Sequence, residues 1–149
     1  MRSKSPICRW ASIRSVSTGG TSAGDTLHGT AAADTINGLG GGDRLYGEDG
    51  ADTLDGGSGG DHLYGGLGAD VLTGGANSDL FVFNTALTGG IDRITDFSHV
   101  YDTIRLENAV FSTLTTTGQL SSGVLYTGSA AHDATDRIVY NPATGALVL

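Results

Sequence analysis

The chain of 149 residues reads as an all-β protein in which short strands are stacked repeat upon repeat. Three observations carry that reading. Aspartate recurs at positions 25, 34, 43, 52, 61, 70 and 79, a period of nine without a slip. Two residues after each aspartate stands a bulky apolar residue: Leu27, Ile36, Leu45, Leu54, Leu63, Leu72 and Phe81. Five residues before each stands glycine, at 20, 29, 38, 47, 56, 65 and 74. Each nonapeptide is thus a six-residue turn followed by a three-residue strand. In a strand, successive side chains alternate faces, so the bulky residue points one way and its two neighbours the other. One strand of three residues cannot bury that side chain, whereas stacked strands can.

The chain opens with residues 1–18, expected to be a disordered leader. Arg2, Lys4, Arg9 and Arg14 make it basic, but no apolar h-region follows, so it is a poor signal peptide. Cys8 is the only cysteine, which excludes an internal disulfide. Neither Cys8 nor Trp10 is assigned a function.

Residues 19–83 hold the repeat. Glycine supplies 25 residues of the chain, far above the usual level of about 7%, and it fills the turns, where backbone takes positive φ or presses on other backbone. Collagen is excluded by 2 prolines and the lack of a three-residue period. From Ser15 onward four arginines face all sixteen acids, a net charge of −12. Such a body is a poor partner for nucleic acid or an anionic membrane and a good one for cations. No apolar run approaches the roughly 18 residues of a membrane helix, so stable membrane insertion is not expected. The candidate ligands are hard oxygens on flexible turns, which suits Ca²⁺. Zinc would require clustered Cys or His, and His28, His62, His99 and His132 show no such spacing. A disordered Gly/Asp-rich linker would have no reason to keep bulky residues in phase with aspartate.

The turns Gly56-Gly57-Ser58-Gly59-Gly60-Asp61 and Gly65-Gly66-Leu67-Gly68-Ala69-Asp70 follow the pattern G-G-x-G-x-D-x-U-x. In this the segment from Gly20 to Val82 resembles the RTX, or hemolysin-type, calcium-binding repeat family. The resemblance implies a parallel β-roll (a β-solenoid) with 18 residues per turn, so that residues two repeats apart stack. Leu27, Leu45, Leu63 and Phe81 then point inward from one sheet, and Ile36, Leu54 and Leu72 from the other. It also implies several Ca²⁺ ions between consecutive turns, held by Asp25, Asp34, Asp43, Asp52, Asp61, Asp70 and Asp79. The turn backbone at Gly38, Gly40, Gly41, Gly47, Asp49, Gly50, Gly56, Ser58, Gly59, Gly65 and Gly68 would complete the ligand set. Three turns depart from the glycine pattern: Thr21-Ser22-Ala23 before Asp25, Thr30-Ala31-Ala32-Ala33 before Asp34, and Asn77-Ser78 before Asp79. With one bulky inward residue in nine, with glycine the costliest residue to order and with like charges stacked, the segment is expected to fold only with its metal.

Residues 84–149 form the expected β tail. Gly90–Phe97 and Asp102–Leu106 read as short strands, and the stretch resembles the segment that follows the repeats in serralysin-like secreted proteins. Asp96 reads either as a further calcium ligand or as a solvated strand-end aspartate. Residues 111–123 read as loop. Arg137–Tyr140 and Ala146–Leu149 read as strands of an antiparallel hairpin around the turn 141–145. The chain stops inside that last strand, as a truncated reading frame would. On the outer face of one sheet Tyr46 and Tyr64 lie two repeats apart and should form a ladder beside His28 and Val82, with the tail packed over it.

No catalysis is expected. The zinc-protease pattern H-E-x-x-H is absent, and the one G-x-S-x-G match, at 56–60, lies inside a repeat turn rather than between a strand and a helix. The only lysine is Lys4, which leaves no phosphate-binding loop. The family resemblance implies a secreted, extracellular module that stays unfolded where calcium is scarce, passes a type I secretion apparatus and folds outside. Two alternatives stay open: a non-catalytic fragment of a larger secreted hydrolase, protease or lipase, and a surface binder of ice or sugar. Against the ice version, the row Thr35, Thr53, Val71 is short and interrupted.

Overall fold

In a computed structural model, residues 16–85 and 90–107 are described, together with three strands at 125–127, 138–141 and 146–148. Every regular element among them is a strand. β1 (Ser17–Gly19), β2 (Thr26–His28) and β3 (Thr35–Asn37) are short. β4 (Arg44–Asp49), β5 (Thr53–Ser58), β6 (His62–Leu67) and β7 (Val71–Ala76) each have six residues. β8 (Leu80–Phe83), β9 (Arg93–Ile94) and β10 (Thr103–Leu106) follow, and then β11 (Leu125–Thr127), β12 (Ile138–Asn141) and β13 (Ala146–Val148).

Consecutive strands alternate between two sheets, β1-β3-β5-β7-β9-β13-β12-β11 and β10-β8-β6-β4-β2. Within the roll every pairing is parallel, with Leu27 on Leu45, Leu45 on Leu63, Leu63 on Phe81, Ile36 on Leu54 and Leu54 on Leu72. The eighteen-residue stack that the family resemblance implies is therefore the fold. Ile36, Leu45, Leu54, Leu63, Leu72, Phe81, Phe83 and Ile94 form the core between the sheets, with Leu27, Phe97, Ile104 and Leu106 packed at its ends. Each full burial of such a side chain contributes about 1.5–3 kcal/mol.

The structure departs from the expected outline in three respects. First, the inner strands have six residues instead of three. Equivalent turns lie directly on one another, so Glu48 pairs with Gly66, Asp49 with Leu67, Gly57 with Gly75 and Ser58 with Ala76, and the ladder runs on into the turn. Second, the roll starts before Gly19. β1 pairs Ser17 with Thr35, so two residues assigned to the leader are in the sheet; the rest of the expected leader, residues 1–15, lies outside the described residues. Third, the roll continues past Phe83. β9 pairs in parallel with β7, Leu72 on Ile94, and β10 in parallel with β8, Phe81 on Ile104. These two strands therefore extend the stack instead of forming an antiparallel appendage. The offset has grown from 18 to 22 and then 23 residues. The extra residues lengthen the turns, which breaks the period in sequence but leaves the parallel register intact.

Farther along, β13 pairs antiparallel with both β9 and β12, and β11 pairs in parallel with β12. Residues 142–145 of the expected hairpin turn and the loop at 111–123 lie outside the described residues. Of the tail expected to pack over the tyrosine face, Asn84 and Thr85 line a pocket with Tyr46 and Tyr64, and β9 and β10 continue the stack instead of covering it. The ladder itself is present. His28 stacks on Tyr46 and Tyr46 on Tyr64, each pair with centroids 4.5 Å apart. His28 Nδ1 lies 2.8 Å from Glu48 Oε1. Val82, at the end of that row, is buried.

Candidate metal centre

The aspartates stand at the points where turns meet strands, and they link the turns vertically. From Asp43 onward, one carboxylate oxygen, Oδ1, of each accepts the backbone N–H of the aspartate one turn earlier. The bonds run from Asp25 N to Asp43, Asp43 N to Asp61 and Asp61 N to Asp79 in one column, at 2.7–2.9 Å. They run from Asp34 N to Asp52 and Asp52 N to Asp70 in the other, at 2.7 and 2.9 Å. Two aspartates that the nine-residue period did not reach continue both columns: Asp70 N–H donates to Asp92 at 3.0 Å, and Asp79 N–H donates to Asp102 at 3.0 Å. A signal for them was present in the sequence. Asp92-Arg93-Ile94 and Asp102-Thr103-Ile104 repeat the motif of aspartate, any residue, apolar residue, only at broken spacing.

The other oxygen divides the aspartates into two classes. Oδ2 of Asp43, Asp52, Asp61, Asp70 and Asp79 is buried with no hydrogen-bond partner. Each of these residues is at most 2% exposed. An unpaired buried carboxylate is costly, and the electrostatics register that cost. Burial, with the charges of Asp70, Asp34 and Asp49 added, pushes Asp52 up to about 6 against the hydrogen bond from Asp34 N–H. Burial likewise raises Asp79 to about 6, helped by Asp102, Asp61 and Asp96. Asp92 also rises to about 6, by burial and the neighbouring Asp70. Asp61 and Asp70 are raised, chiefly by burial.

In these five turns the backbone explains the glycines. Positive φ among the described residues occurs only four and two residues before these five aspartates: Leu39 and Gly41, Glu48 and Gly50, Gly57 and Gly59, Gly66 and Gly68, Gly75 and Asn77. The glycine five residues before is needed for space. A Cβ on Gly38, Gly47, Gly56, Gly65 or Gly74 would lie 2.4–2.5 Å from Oδ2 of its own aspartate. The backbone thus wraps the carboxylate so closely that only glycine fits.

Of the sequence-predicted ligands, the structure brings these five aspartates together with their turn residues. Gly38, Gly47, Gly56 and Gly65 line the carboxylates, and Gly41, Gly50, Gly59 and Gly68 supply the second left-handed residue. Gly40, Asp49 and Ser58 lie between, with the Asp49 and Ser58 side chains exposed. Ser58 Oγ donates only a long bond, 3.4 Å, to the Leu39 carbonyl. Asp25, Asp34 and Asp96 differ. Asp25 Oδ2 accepts from the N–H and hydroxyl of Thr21 at 2.7 and 2.8 Å. Asp34 accepts from Val16 N–H on Oδ1, and on Oδ2 from the N–H and hydroxyl of Thr30. Burial pushes the Asp34 carboxyl up, but those three donors outweigh it and hold it below its ordinary value. Asp96 is not a solvated strand end: it accepts the N–H groups of Gly74 and Gly75 at 2.9 and 2.8 Å. Its side chain thereby takes the place of the next-turn carbonyl, the Asp55 carbonyl in the case of Gly38 N–H.

No group of three or more His, Cys, Asp or Glu side chains converges among the described residues. Aspartate Oδ2 atoms and turn carbonyls are hard oxygen donors, a set that would suit Ca²⁺ and not zinc. The buried, unpartnered oxygens fit a cation directly.

Residues 19–54 and 46–81 match the family model of the RTX calcium-binding nonapeptide repeat (4 copies). No curated protein matches the chain. Among solved structures, the solution structure of a subunit of the Azotobacter vinelandii mannuronan C5-epimerase is 34% identical, with a TM-score of 0.40. The match covers 71% of this chain and 56% of that one. The stacked turns between residues 19 and 81 are RTX calcium-binding nonapeptide repeats, and calcium is their metal.

Proposed function

We propose that this chain is a secretion and stability module that folds on calcium outside the cell and has no catalysis of its own. One observation supports it above the others: five aspartate oxygens are buried without a partner in turns shaped by glycine. In this reading Asp43, Asp52, Asp61, Asp70 and Asp79 present Oδ2 to the ions, and the turn backbones around them supply carbonyl oxygens. Calcium neutralises carboxylates that otherwise repel one another, so its binding energy becomes folding energy. Where calcium is scarce the repeat stays unfolded, the state in which a type I secretion apparatus would accept it. Outside, calcium closes the roll and stabilises whatever the module is joined to. The stretch after the repeat is part of the same proposal, as a serralysin-like tail.

The test is a calcium titration followed by circular dichroism. Extracellular calcium modules bind at roughly 10⁻⁴–10⁻³ M, so millimolar Ca²⁺ is expected to convert a largely disordered chain to β structure, and a chelator to reverse it. Magnesium is expected to do much less, because it demands near-octahedral geometry and sheds water reluctantly. Identical spectra in calcium and in excess chelator would sink the proposal.

A further inference from the structure

We propose that the roll carries metal-free caps, and that the residue four positions before each aspartate decides whether its turn takes an ion. The inference rests on the calcium reading above and specifies which turns that reading applies to. Two kinds of turn are built on the same frame. In the five left-handed turns the residue at that position has positive φ, and Oδ2 of the aspartate is buried without a partner. In three capped turns the same position donates its backbone N–H to Oδ2. Thr21 does so to Asp25, Thr30 to Asp34 and Ser98 to Asp102, the first and last at 2.7 and 2.8 Å. Thr21 and Thr30 add their hydroxyls to the same oxygen, at 2.8 and 2.9 Å. No residue of these three turns has positive φ.

The capped turns lie at the ends of the stack: two open it, and the last follows the final left-handed turn of its column. There the oxygen that would face a cation is already satisfied by protein donors. An ion would have to displace two of them at Asp25 or Asp34 to reach it. The arrangement also accounts for alanine at Ala23 and Ala32, two residues before the aspartate, where the left-handed turns carry glycine or asparagine. A capped turn does not need the left-handed backbone, so a Cβ is tolerated. Calcium then binds the middle of the roll, while its ends are closed by hydrogen bonds that do not depend on the ion.

Equilibrium dialysis of the full chain against radioactive calcium counts the bound ions directly. Asp34→Asn is expected to leave that count unchanged, whereas Asp61→Asn lowers it. Opening the second turn with Thr30→Gly and Ala32→Gly together is expected to add one ion per chain. Loss of an ion from Asp34→Asn, or no gain from the double glycine variant, overturns the proposal. Should Asp34→Asn fail to fold in calcium, the glycine variant still decides. A wild-type chain that binds no calcium overturns the calcium reading itself, a result distinct from either of these.

Discussion

Asp34 and Asp52 occupy the same column, one turn apart, and the backbone N–H of Asp34 donates to the carboxylate of Asp52 at 2.7 Å. Both are buried. Yet Asp34 is held below its ordinary carboxylate range, while Asp52 is raised to about 6. The difference is local. Thr30 turns its N–H and hydroxyl toward Asp34, whereas the equivalent Glu48 has φ of 76° and leaves Asp52 Oδ2 without a donor. One turn is complete as protein, and the other has a surplus of negative charge that only a cation or a proton relieves. The same contrast runs through the strands: the end strands β2 and β3 have three residues, and the inner strands β4 to β7 have six. Stackable left-handed turns extend the ladder and leave the aspartate Oδ2 without a partner.

The contrast is most sharply broken at the position two before the aspartate. Alanine stands there in the two opening capped turns, at Ala23 and Ala32, and valine, Val100, in the third, so a Cβ is compatible with that geometry. In the left-handed turn, Gly59 has φ of 137°, and a Cβ would lie 1.5 Å from the Gly41 carbonyl oxygen. Gly59→Ala is therefore expected to cost at least about 2 kcal/mol, from left-handed strain plus the backbone clash. It should raise the calcium midpoint more than tenfold in a dichroism titration. A midpoint within twofold of wild type would mean that the two turn types are not distinct.

A smaller effect is expected from charge alone. Asp61→Asn keeps an acceptor for Asp43 N–H and removes the buried charge, in the middle of its column. The calcium midpoint should rise several-fold, with lower cooperativity, because a stacked repeat folds as a nearest-neighbour sum. Asp25→Asn, in a capped turn, should leave the midpoint nearly unchanged. Equal shifts in the two variants would contradict the division.

Protons test the same surplus charge. Asp52, Asp79 and Asp92 sit at about 6 in the folded chain, against about 3.9 for an unfolded aspartate. Between those values the folded state binds more protons, so their contribution to the stability of the metal-free roll is present below about pH 4 and is lost as pH rises through about 6. In chelator, acidification from pH 7 to 5 is therefore expected to increase β structure. In calcium the sign reverses, since protons compete for the same oxygens, and the midpoint should rise as pH falls below about 6. A calcium midpoint that is flat from pH 7 to 5 would disprove the raised carboxylates.

A modest effect of opposite sign is expected at Leu39, a left-handed residue that is not glycine, with φ of 71°. Its side chain is 54% exposed, so little packing is lost on removing it. Leu39→Gly relieves a strain of about 1–2 kcal/mol but adds the ordering cost of glycine, about 0.5–1 kcal/mol. The midpoint should fall about twofold to fivefold, and a rise would show that Leu39 makes contacts that matter.

Much of this was legible in the residues because a period of nine is a geometric statement. Leu45, Leu54 and Leu63 had to point inward once the strands alternate faces and the repeats stack, and Tyr46 and Tyr64 had to meet once the eighteen-residue turn implied by the family resemblance is taken. The roll beyond Phe83 was hidden because its turns lengthen: Asp92 and Asp102 keep the local motif and lose the spacing on which a periodic reading depends. The capped turns were hidden for another reason. Thr21 and Thr30 registered only as missing glycines, since a hydroxyl that closes on a carboxylate is visible only when the turn conformation is known.

The sequence by itself determined the strand alternation, the bulky residues that share one face and calcium as the suited metal, while the two aspartate columns were implied by the family resemblance. The first three follow from side-chain periodicity and donor chemistry, which hold wherever the repeat is placed in space. The tertiary structure alone decided which carboxylate oxygens are left without a partner. That depends on whether one backbone N–H in each turn faces the aspartate or turns away, a choice of φ worth a few kcal/mol that no residue makes until the turns above and below hold it in place.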